Sequence, residues 1–282
     1  MIIWIASYPK SGNTWVRSLL ASYLYSTHGV FNFDLLKKIK QFPSKQYFEF
    51  FLKDFKDIKK VSDYWIPAQD RISLFNDGTI FLKTHNALCT LENNSFTNKR
   101  NTKAVIHVVR DPRNVLSSIS NHYSMNIIES FNFITDKKRM LVSEKWRGKD
   151  FGIATALGDW SEHYKSWKNI KFAPSKIVRY EDLISNTEIT FISILNFLKN
   201  FMDIDINKNK VKKAIDSCSF DILSNKEKKE GFDESITDKS SGKKIKFFNL
   251  GKKNDWKKLL DSKIEEQIRF KFNKEMKELG YN

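Results

Sequence analysis

The chain has 282 residues, of which 40% are hydrophobic and 14% aromatic, and 49 basic against 33 acidic residues give it a formal charge of +16. This apolar content at this length excludes wholesale disorder, and no stretch approaches the ~18 consecutive apolar residues of a membrane span. The two cysteines, Cys89 and Cys218, cannot build a disulfide framework, and the apolar N-terminal segment lacks the basic flank of a signal peptide. We therefore expect a cytoplasmic protein.

The first elements predicted are a strand, a tight loop and a helix. Residues 2–7 form an apolar run that is typical of a buried strand and ends at Tyr8-Pro9. Apolar residues at helical spacing then predict a helix from Thr14 to about Ser26, capped by Asn13 or Thr14. Residues 34–75 are expected to form several short helices, and residues 79–83 a second strand.

The rest of the chain continues this alternation. The predicted elements are a strand over 104–109, a helix that begins near Pro112, a helix over 154–169, a strand over 176–180, a helix over 187–201 and an amphipathic helix over 261–279. The charged segment 224–246, which contains few apolar residues, is predicted to be a mobile loop. Strands that alternate with helices indicate an α/β fold: a single domain over 1–282 with a central, mostly parallel sheet flanked by helices.

The loop after the first strand has the composition of a phosphate-binding site. It reads Tyr8-Pro9-Lys10-Ser11-Gly12-Asn13-Thr14-Trp15. Backbone N–H groups at a helix N-terminus attract anions, Gly12 permits a close approach of the backbone, and Lys10 adds a cation. The spacing of a Walker A loop is missing. An ordinary strand–helix turn with an incidental lysine is the alternative interpretation of this segment.

Taken with the later segments, this loop resembles the first signature of the sulfotransferases that use 3′-phosphoadenosine 5′-phosphosulfate (PAPS). The family pattern is Y-P-K-S-G-[TN]-T-W, and residues 8–15 fit it throughout. Further matches follow in the family's order along nearly the whole chain, and the resemblance is closest to bacterial members of the cytosolic type. It implies a P-loop-like fold, PAPS as the donor, 3′,5′-ADP as the product and no metal.

The resemblance also implies the catalytic residues. In the segment Lys83-Thr84-His85-Asn86-Ala87, His85 corresponds to the general base that deprotonates the acceptor hydroxyl, and Lys83 to a cation beside the sulfuryl group. Lys10 is expected to neutralise the leaving oxygen, while the N–H groups of residues 11–14 hold the transferring group. A lone histidine after a strand is otherwise more often a cap or a surface residue.

Other matches imply contacts to the nucleotide. Arg110 and Ser118 fall on the two positions of the family's 3′-phosphate segment, and Tyr180, in Arg179-Tyr180-Glu181-Asp182, falls near the adenine. Trp15 and Phe220 are expected to sandwich the base, since stacking on a purine is worth ~1–3 kcal/mol. As isolated residues, both aromatics are more often part of a core.

One match is partial. The family's late segment is R-K-G-x-x-G-D-W-[KR], and residues 249–257 keep the glycine (Gly251) and Asp-Trp-Lys. Asn249 and Leu250 replace the basic pair that holds the 3′-phosphate. Lys246, Lys252 or Lys253 is expected to compensate as a point charge with looser geometry than arginine. The dimerisation segment K-x-x-x-T-V-x-x-x-E of some eukaryotic members is missing.

The sequence says less about the purpose of the surplus positive charge and about the identity of the acceptor. Only nine basic residues are arginines, so a solvated, lysine-rich surface is as good an interpretation as a polyanion patch. We expect the acceptor, a small molecule, glycan or lipid with a hydroxyl, to be framed by residues 31–75, 120–155 and 224–246. Two alternatives stay open: a nucleotide kinase or NTPase, with Asp111 as the magnesium ligand, and a polyanion-binding protein that binds DNA or heparin without a nucleotide preference.

Overall fold

A computed structural model describes residues 1–76, 78–141, 152–237 and 242–281. Its centre is a five-stranded parallel sheet with the strand order β2-β3-β1-β6-β9. The strands, in chain order, are β1 (Ile2–Ser7), β2 (Lys40–Gln41), β3 (Ile80–Thr84), β4 (Thr90–Leu91), β5 (Asn94–Ser95), β6 (Thr102–Val109), β7 (Met140–Leu141), β8 (Thr155–Ala156), β9 (Ser175–Arg179), β10 (Ile236–Thr237) and β11 (Lys244–Ile245). The pairs β4–β5, β7–β8 and β10–β11 are separate antiparallel ribbons.

Helices cover the sheet on both faces. The α-helices are α1 (Asn13–Tyr25), α2 (Lys45–Phe48), α3 (Ile58–Asp63), α4 (Trp65–Leu74), α5 (Pro112–Tyr123), α6 (Ile127–Thr135), α7 (Trp160–Lys168), α8 (Tyr180–Ser185), α9 (Thr187–Leu198), α10 (Lys208–Ser217), α11 (Phe220–Glu230), α12 (Trp256–Leu259) and α13 (Ser262–Glu278). Short 3₁₀ helices lie at Phe33–Lys38 and Gly251–Lys253. The predicted α/β architecture with a parallel, helix-covered sheet is confirmed.

The central strand explains how the layers are held. All six residues of β1 are buried, as expected of a strand covered on both faces. Because side chains alternate along a strand, Ile3 and Ile5 pack with α1 and α9, while Trp4 packs in the opposite core with Phe96 and Trp167. Burial on both sides fixes the register of β1 and therefore the position of the loop that follows it.

Several sequence-based boundaries are wrong. The N-cap of α1 is Gly12, and neither Asn13 nor Thr14. The helix predicted over 154–169 begins only at Trp160, because residues 155–156 pair with residues 140–141 in a ribbon. In the segment predicted as a loop over 224–246, α11 continues to Glu230 and β10 pairs with β11.

The reason for this last difference is Glu227. Its buried carboxylate accepts hydrogen bonds from the Ser235 hydroxyl at 2.6 Å and from the backbone N–H groups of Phe247 and Phe248 at 2.6 and 2.9 Å. A single internal acid thus organises a segment whose apolar content is low. Residues 238–241 of that segment lie outside the described residues, and its mobility stays a prediction.

Candidate active site

The carboxyl ends of β1, β3 and β6, the three adjacent strands at the centre of the sheet, meet at one edge. The residues that follow these strands include Lys10, His85 and Arg110, and all three line one cavity of about 490 Å³. Ligands of open α/β sheets bind at this edge, since the loops that leave parallel strands converge there. Sheet topology therefore brings together residues that lie up to 100 positions apart in the chain.

Most of the predicted site residues line this cavity. They are Lys10, Gly12, Asn13, Thr14, Trp15, Lys83, His85, Arg110, Ser118, Tyr180, Phe220, Gly251 and Lys252. Ser11 is the exception: its side chain is fully buried, and its hydroxyl has no hydrogen-bond partner in the described part of the chain.

The loop between β1 and α1 needs the glycine that the sequence places there. Gly12 has φ of +100°, and a Cβ at this position would lie 2.4 Å from Cδ2 of Tyr180. The next residue, Asn13, turns its side chain inward, where Nδ2 donates to the backbone oxygen of Ile5 at 2.9 Å and to the Ser7 hydroxyl at 3.1 Å. The Asn13 side chain therefore ties the loop to β1, a role that the sequence did not reveal.

His85 is held in one tautomer. Its Nδ1 lies 2.7 Å from the backbone oxygen of Ser7, and a carbonyl oxygen can only accept, so the neutral ring carries its hydrogen on Nδ1. The Nε2 atom is left with its lone pair. Burial, followed by repulsion from Lys83, lowers the pKa of His85 to about 3, against the opposing effects of the Ser7 carbonyl and Glu234. The ring is therefore neutral across the neutral pH range, with the Nε2 lone pair unprotonated.

Two lysines, the half-buried Lys10 and the buried Lys83, lie at the same edge. The Lys10 ammonium is 3.6 Å from the centroid of the Phe247 ring, and burial lowers the pKa of Lys10 to about 7, with Glu234 opposing and Arg110 adding to the shift. Lys83 is 6% exposed, and burial lowers its pKa as well. Two ammonium groups held away from water are poised to attract an anion.

Glu234 is a site residue that sequence reasoning missed. Its carboxylate contacts the Lys83 ammonium at 3.2 Å, the Arg17 guanidinium at 2.6 Å and the Thr14 hydroxyl at 2.9 Å. Burial alone would raise the pKa of Glu234, but the attraction of Lys83 and Arg17 and their hydrogen bonds hold it well below its ordinary value. Nothing in the sequence marks this acid, which lies 151 residues beyond Lys83 in a segment predicted to be a loop.

Arg110 lies at the other side of the first loop. It donates from Nη1 to the backbone oxygen of Lys10 at 3.0 Å, and its guanidinium carbon is 4.2 Å from the centroid of the Tyr180 ring. Its Nε is buried without a hydrogen-bond partner among the described residues. Arg110 therefore has donor capacity to offer to a ligand, and Ser118, two turns into α5, lines the same cavity.

The neighbouring arginine, Arg113, has a different function. It is fully buried, donates from Nε and Nη2 to the Asp111 carboxylate, and reaches Glu265 at 3.1 Å and the backbone oxygen of Tyr281 at 2.9 Å. The planar guanidinium of Arg113 makes its hydrogen bonds inside the protein, where it connects α13 to the start of α5. The Asp111 carboxylate is paired with the same guanidinium.

Aromatic side chains form another wall of the cavity. The Trp15 and Tyr180 rings meet edge to face at 5.8 Å, and Phe220 lines the cavity from the start of α11. A Cβ on Gly251 would lie 2.7 Å from the Phe220 ring, so this glycine allows the late segment to pack flat against the aromatic. Asn249, Leu250 and Lys252 line the cavity from the same segment, whereas Lys246 and Lys253, both within the described ranges, do not.

Three further findings concern the described residues only. No group of three or more histidine, cysteine, aspartate or glutamate side chains among them has the arrangement of a metal site. None of the helices in the described ranges has both the length and the apolar character needed to cross a membrane. Both cysteines are free thiols.

Comparison with known proteins gives a consistent result. A family model described as the sulfotransferase domain matches residues 2–280. The luciferin sulfotransferase of Photinus pyralis is 23% identical over 233 residues, which are 78% of this chain and 56% of that protein. The chain thus spans a little over half the length of that relative.

Solved structures share the fold. Retinol dehydratase in complex with androsterone and the inactive cofactor PAP aligns with a TM-score of 0.63 and 16% identity, over 98% of this chain and 80% of the other. Mouse sulfotransferase SULT7A1 complexed with PAP aligns with a TM-score of 0.53 and 18% identity, over 97% and 84%. At this level of identity the similarity establishes the fold.

Proposed function

The chain belongs to the sulfotransferase-domain family, and from this premise we propose that it moves a sulfuryl group from PAPS to the hydroxyl of an organic acceptor. The observation that carries the proposal is the convergence of Lys10, Lys83 and His85 at the ends of two adjacent parallel strands. A transfer of this kind needs cations for the charge on the donor and a base for the acceptor proton.

The residues present fit the donor. PAPS carries a phosphosulfate and a 3′-phosphate, and the cavity offers Lys10, Lys83 and Arg110 at the carboxyl edge of the sheet. The Arg110 Nε is a buried donor without a partner in the described residues, and the Arg110 side chain lines the cavity. Unsatisfied buried donors of this kind are expected where a ligand supplies the acceptors.

The chemistry follows from the geometry of His85. With Nδ1–H committed to Ser7, the Nε2 lone pair accepts the proton of the acceptor hydroxyl as the new O–S bond forms. The S–O bond to the nucleotide breaks, and 3′,5′-ADP leaves with the electron pair. We propose that Lys10 neutralises the charge on the leaving oxygen, and that Lys83 and the N–H groups of residues 11–14 bind the sulfuryl oxygens.

The nucleotide end is proposed to bind along the second half of the cavity. Trp15 and Phe220 would contact the two faces of the adenine, with Tyr180 beside it. Arg110 and Ser118 would hold the 3′-phosphate, and Lys252 would supply the charge that Asn249 and Leu250 lack. An ammonium is a weaker directional partner than an arginine fork, so this end relies more on Arg110 than the family pattern does.

The acceptor stays open between a small molecule, a glycan and a lipid. Of the segments expected to frame it, residues 142–151 and 238–241 lie outside the described residues. Gln41, Pro43 and Tyr123 line the cavity from the described parts of these segments and their neighbours. The cytoplasmic location is likewise a proposal, and it rests on the two free thiols.

A comparison of three ligands tests the reaction class. 3′,5′-ADP, ATP with Mg²⁺, and DNA should be added separately while the melting temperature is recorded, because a specific ligand stabilises the folded state. We expect 3′,5′-ADP alone to raise it strongly at low concentration. A dominant effect of ATP with Mg²⁺ would favour a kinase, although the Asp111 carboxylate is already paired with Arg113. A dominant, salt-sensitive effect of DNA would favour a polyanion-binding protein.

The acceptor class is tested by transfer itself. A library of phenols, aliphatic alcohols, sugars and lipids should be incubated with PAPS and the protein, and the products detected by their mass. A sulfated product that requires both PAPS and His85 would support the reaction as proposed.

A further inference from the structure

Glu234 joins three elements that meet at the site. One carboxylate oxygen accepts from Arg17 of α1 and from Lys83 of β3, and the other accepts from the Thr14 hydroxyl. The residue itself belongs to the segment between α11 and β10. Its side chain is 25% exposed and lines the cavity, so it lies at the wall of the site rather than deep in the core.

An acid in this place needs an explanation. A carboxylate beside the binding site of an anionic donor repels that donor unless its charge is balanced. Arg17 supplies the balance: it is 5% exposed, and its Nη2 donates to the backbone oxygens of Leu36 at 3.4 Å and Ile39 at 3.1 Å. The triad of Arg17, Glu234 and Lys83 therefore keeps a net positive charge while holding the Lys83 ammonium at a fixed point.

We propose that Glu234 is a positioning residue for sulfuryl transfer, which holds the Lys83 ammonium in place beside His85 and keeps it protonated. The inference rests on the proposed function of the site and deepens it. Glu234 touches no reacting atom in this scheme and acts through Lys83. One of the three ammonium hydrogens is used by Glu234, and the other two, which make no hydrogen bond to the described residues, are available to the sulfuryl oxygens.

The electrostatics agree with this role. Burial lowers the pKa of Lys83, Glu234 raises it again, and Arg17 lowers it. Burial also lowers the pKa of Lys10 to about 7, where Glu234 and Glu227 oppose the shift and Arg110 and Lys83 add to it. His85 also lies next to Lys83, and its pKa of about 3 leaves it neutral near pH 7. Removing the Glu234 charge should therefore lower the pKa of Lys83 and of Lys10.

The first test uses the unliganded protein. Lysine labelling by acetic anhydride should be measured against pH, with mass detection of the Lys83 and Lys10 peptides, in the wild type, Glu234→Gln and Asp233→Asn. Asp233 is the exposed neighbour and loses the same charge. We expect Glu234→Gln to move the labelling midpoint of Lys83 down by about one pH unit or more, and Asp233→Asn to leave it near the wild-type value. Equal midpoints in the two variants would overturn the proposal.

The second test measures turnover with the acceptor found by the screen. A lysine that acts as a cation is active below its pKa, so activity is lost as pH rises through that value. Glu234→Gln should therefore move the alkaline limb of kcat to lower pH, and Glu234→Asp should restore part of the shift. A purely structural role would lower stability and leave the limb in place, which would overturn the proposal.

Two controls keep the outcomes distinct. If Glu234→Gln does not fold, the labelling and pH profile of Glu234→Asp decide, since its carboxylate is kept but withdrawn by one methylene. If the wild type neither binds 3′,5′-ADP nor transfers sulfate, the proposed function fails. The labelling test still reports whether Glu234 controls the charge of Lys83, because it needs no donor.

Discussion

The Nδ1 atom of His85 lies 2.7 Å from the backbone oxygen of Ser7. This contact decides which ring nitrogen is free, because a carbonyl oxygen accepts a hydrogen and cannot give one. Ser7 is itself fixed by the Asn13 side chain, which donates to its hydroxyl at 3.1 Å. The orientation of the imidazole is thus set by the end of the central strand, and not by a second titratable group.

Replacing His85 by alanine should separate binding from turnover. If His85 is the general base, the variant binds 3′,5′-ADP with an affinity near that of the wild type and loses kcat by ~10²–10⁴-fold. Calorimetry gives the affinity, and the rate of product formation gives kcat. His28→Ala is the matched control, since His28 is exposed. Near-normal turnover in His85→Ala would contradict the assignment.

Gly12→Ala should abolish nucleotide binding, and Gly78→Ala should not. Both glycines have positive φ, +100° and +96°, so alanine strains the backbone at each, by ~1–2 kcal/mol. Only at Gly12 does the added Cβ collide with Tyr180, at 2.4 Å, whereas a Cβ on Gly78 meets no atom of the described residues within 4 Å. Unfolding by urea measures the loss of stability in both variants, of which the backbone strain is common to both and the contact with Tyr180 occurs only in Gly12→Ala. Titration with 3′,5′-ADP measures binding. Equal affinities in the two variants would contradict a role for the Gly12–Tyr180 contact.

Lys252→Ala should weaken the binding of 3′,5′-ADP more than that of 5′-AMP. Lys252 lines the cavity in the segment where Asn249 and Leu250 replace the family's basic pair, and only the first ligand carries a 3′-phosphate. The neighbouring Lys253, which is exposed and does not line the cavity in the described structure, provides the control variant Lys253→Ala. Competition binding with both nucleotides measures the difference. A parallel loss of both affinities would show that Lys252 does not recognise the 3′-phosphate.

Stability should fall on mild acidification. Burial lowers the pKa of His85 and of His163 to about 3, and burial and repulsion from His163 lower the pKa of His107 well below its ordinary value. Unfolded histidines bind protons below about pH 6.5, whereas these folded ones stay neutral. These histidines therefore do not change the free energy of unfolding above that pH. As the pH falls toward 3, each of them lowers the free energy of unfolding by ~1.4 kcal/mol per pH unit.

Urea unfolding between pH 6.5 and 5.0 measures this loss, above the range in which most carboxylates titrate. His163→Phe should reduce the pH dependence of the unfolding free energy by the contribution of about one proton, because phenylalanine binds no proton in either state. His28→Gln should leave the dependence unchanged. A profile without slope in the wild type would contradict the neutral, buried state of these rings.

The sequence was most informative where local patterns and the sheet agree. A buried parallel strand appears as an apolar run, so β1, β3 and β6 were predicted within one or two residues. The edge strand β9 is mostly not buried and was predicted to the same accuracy from its short Ile177-Val178 pair. The structure places Lys10, His85 and Arg110, which follow β1, β3 and β6, around one cavity at the carboxyl edge of the sheet. The sequence could not predict the different roles of Arg110 and Arg113, since both follow the same strand. Only the fold shows that Arg110 lines the cavity and that Arg113 is paired with Asp111 inside the protein.

Contacts over long separations could not be predicted. The inward turn of Asn13 depends on the exact backbone of β1, and the position of Glu234 depends on how residues after α11 return over α1. A low apolar content suggested a loop for 224–246, because composition does not show that the Glu227 carboxylate binds two backbone N–H groups at once.

The separation of Glu234 from its partners also bears on how the molecule is made. Lys83 and Arg17 precede Glu234 by 151 and 217 residues, so during synthesis both cations exist long before their counter-ion. Contacts of such separation carry a high cost in loop-closure entropy. Without Glu234 in place, the cations of Arg17 and Lys83 would lack the counter-ion that they share in the folded chain. Glu234 therefore joins two cations that are made early in synthesis to a segment that is made late.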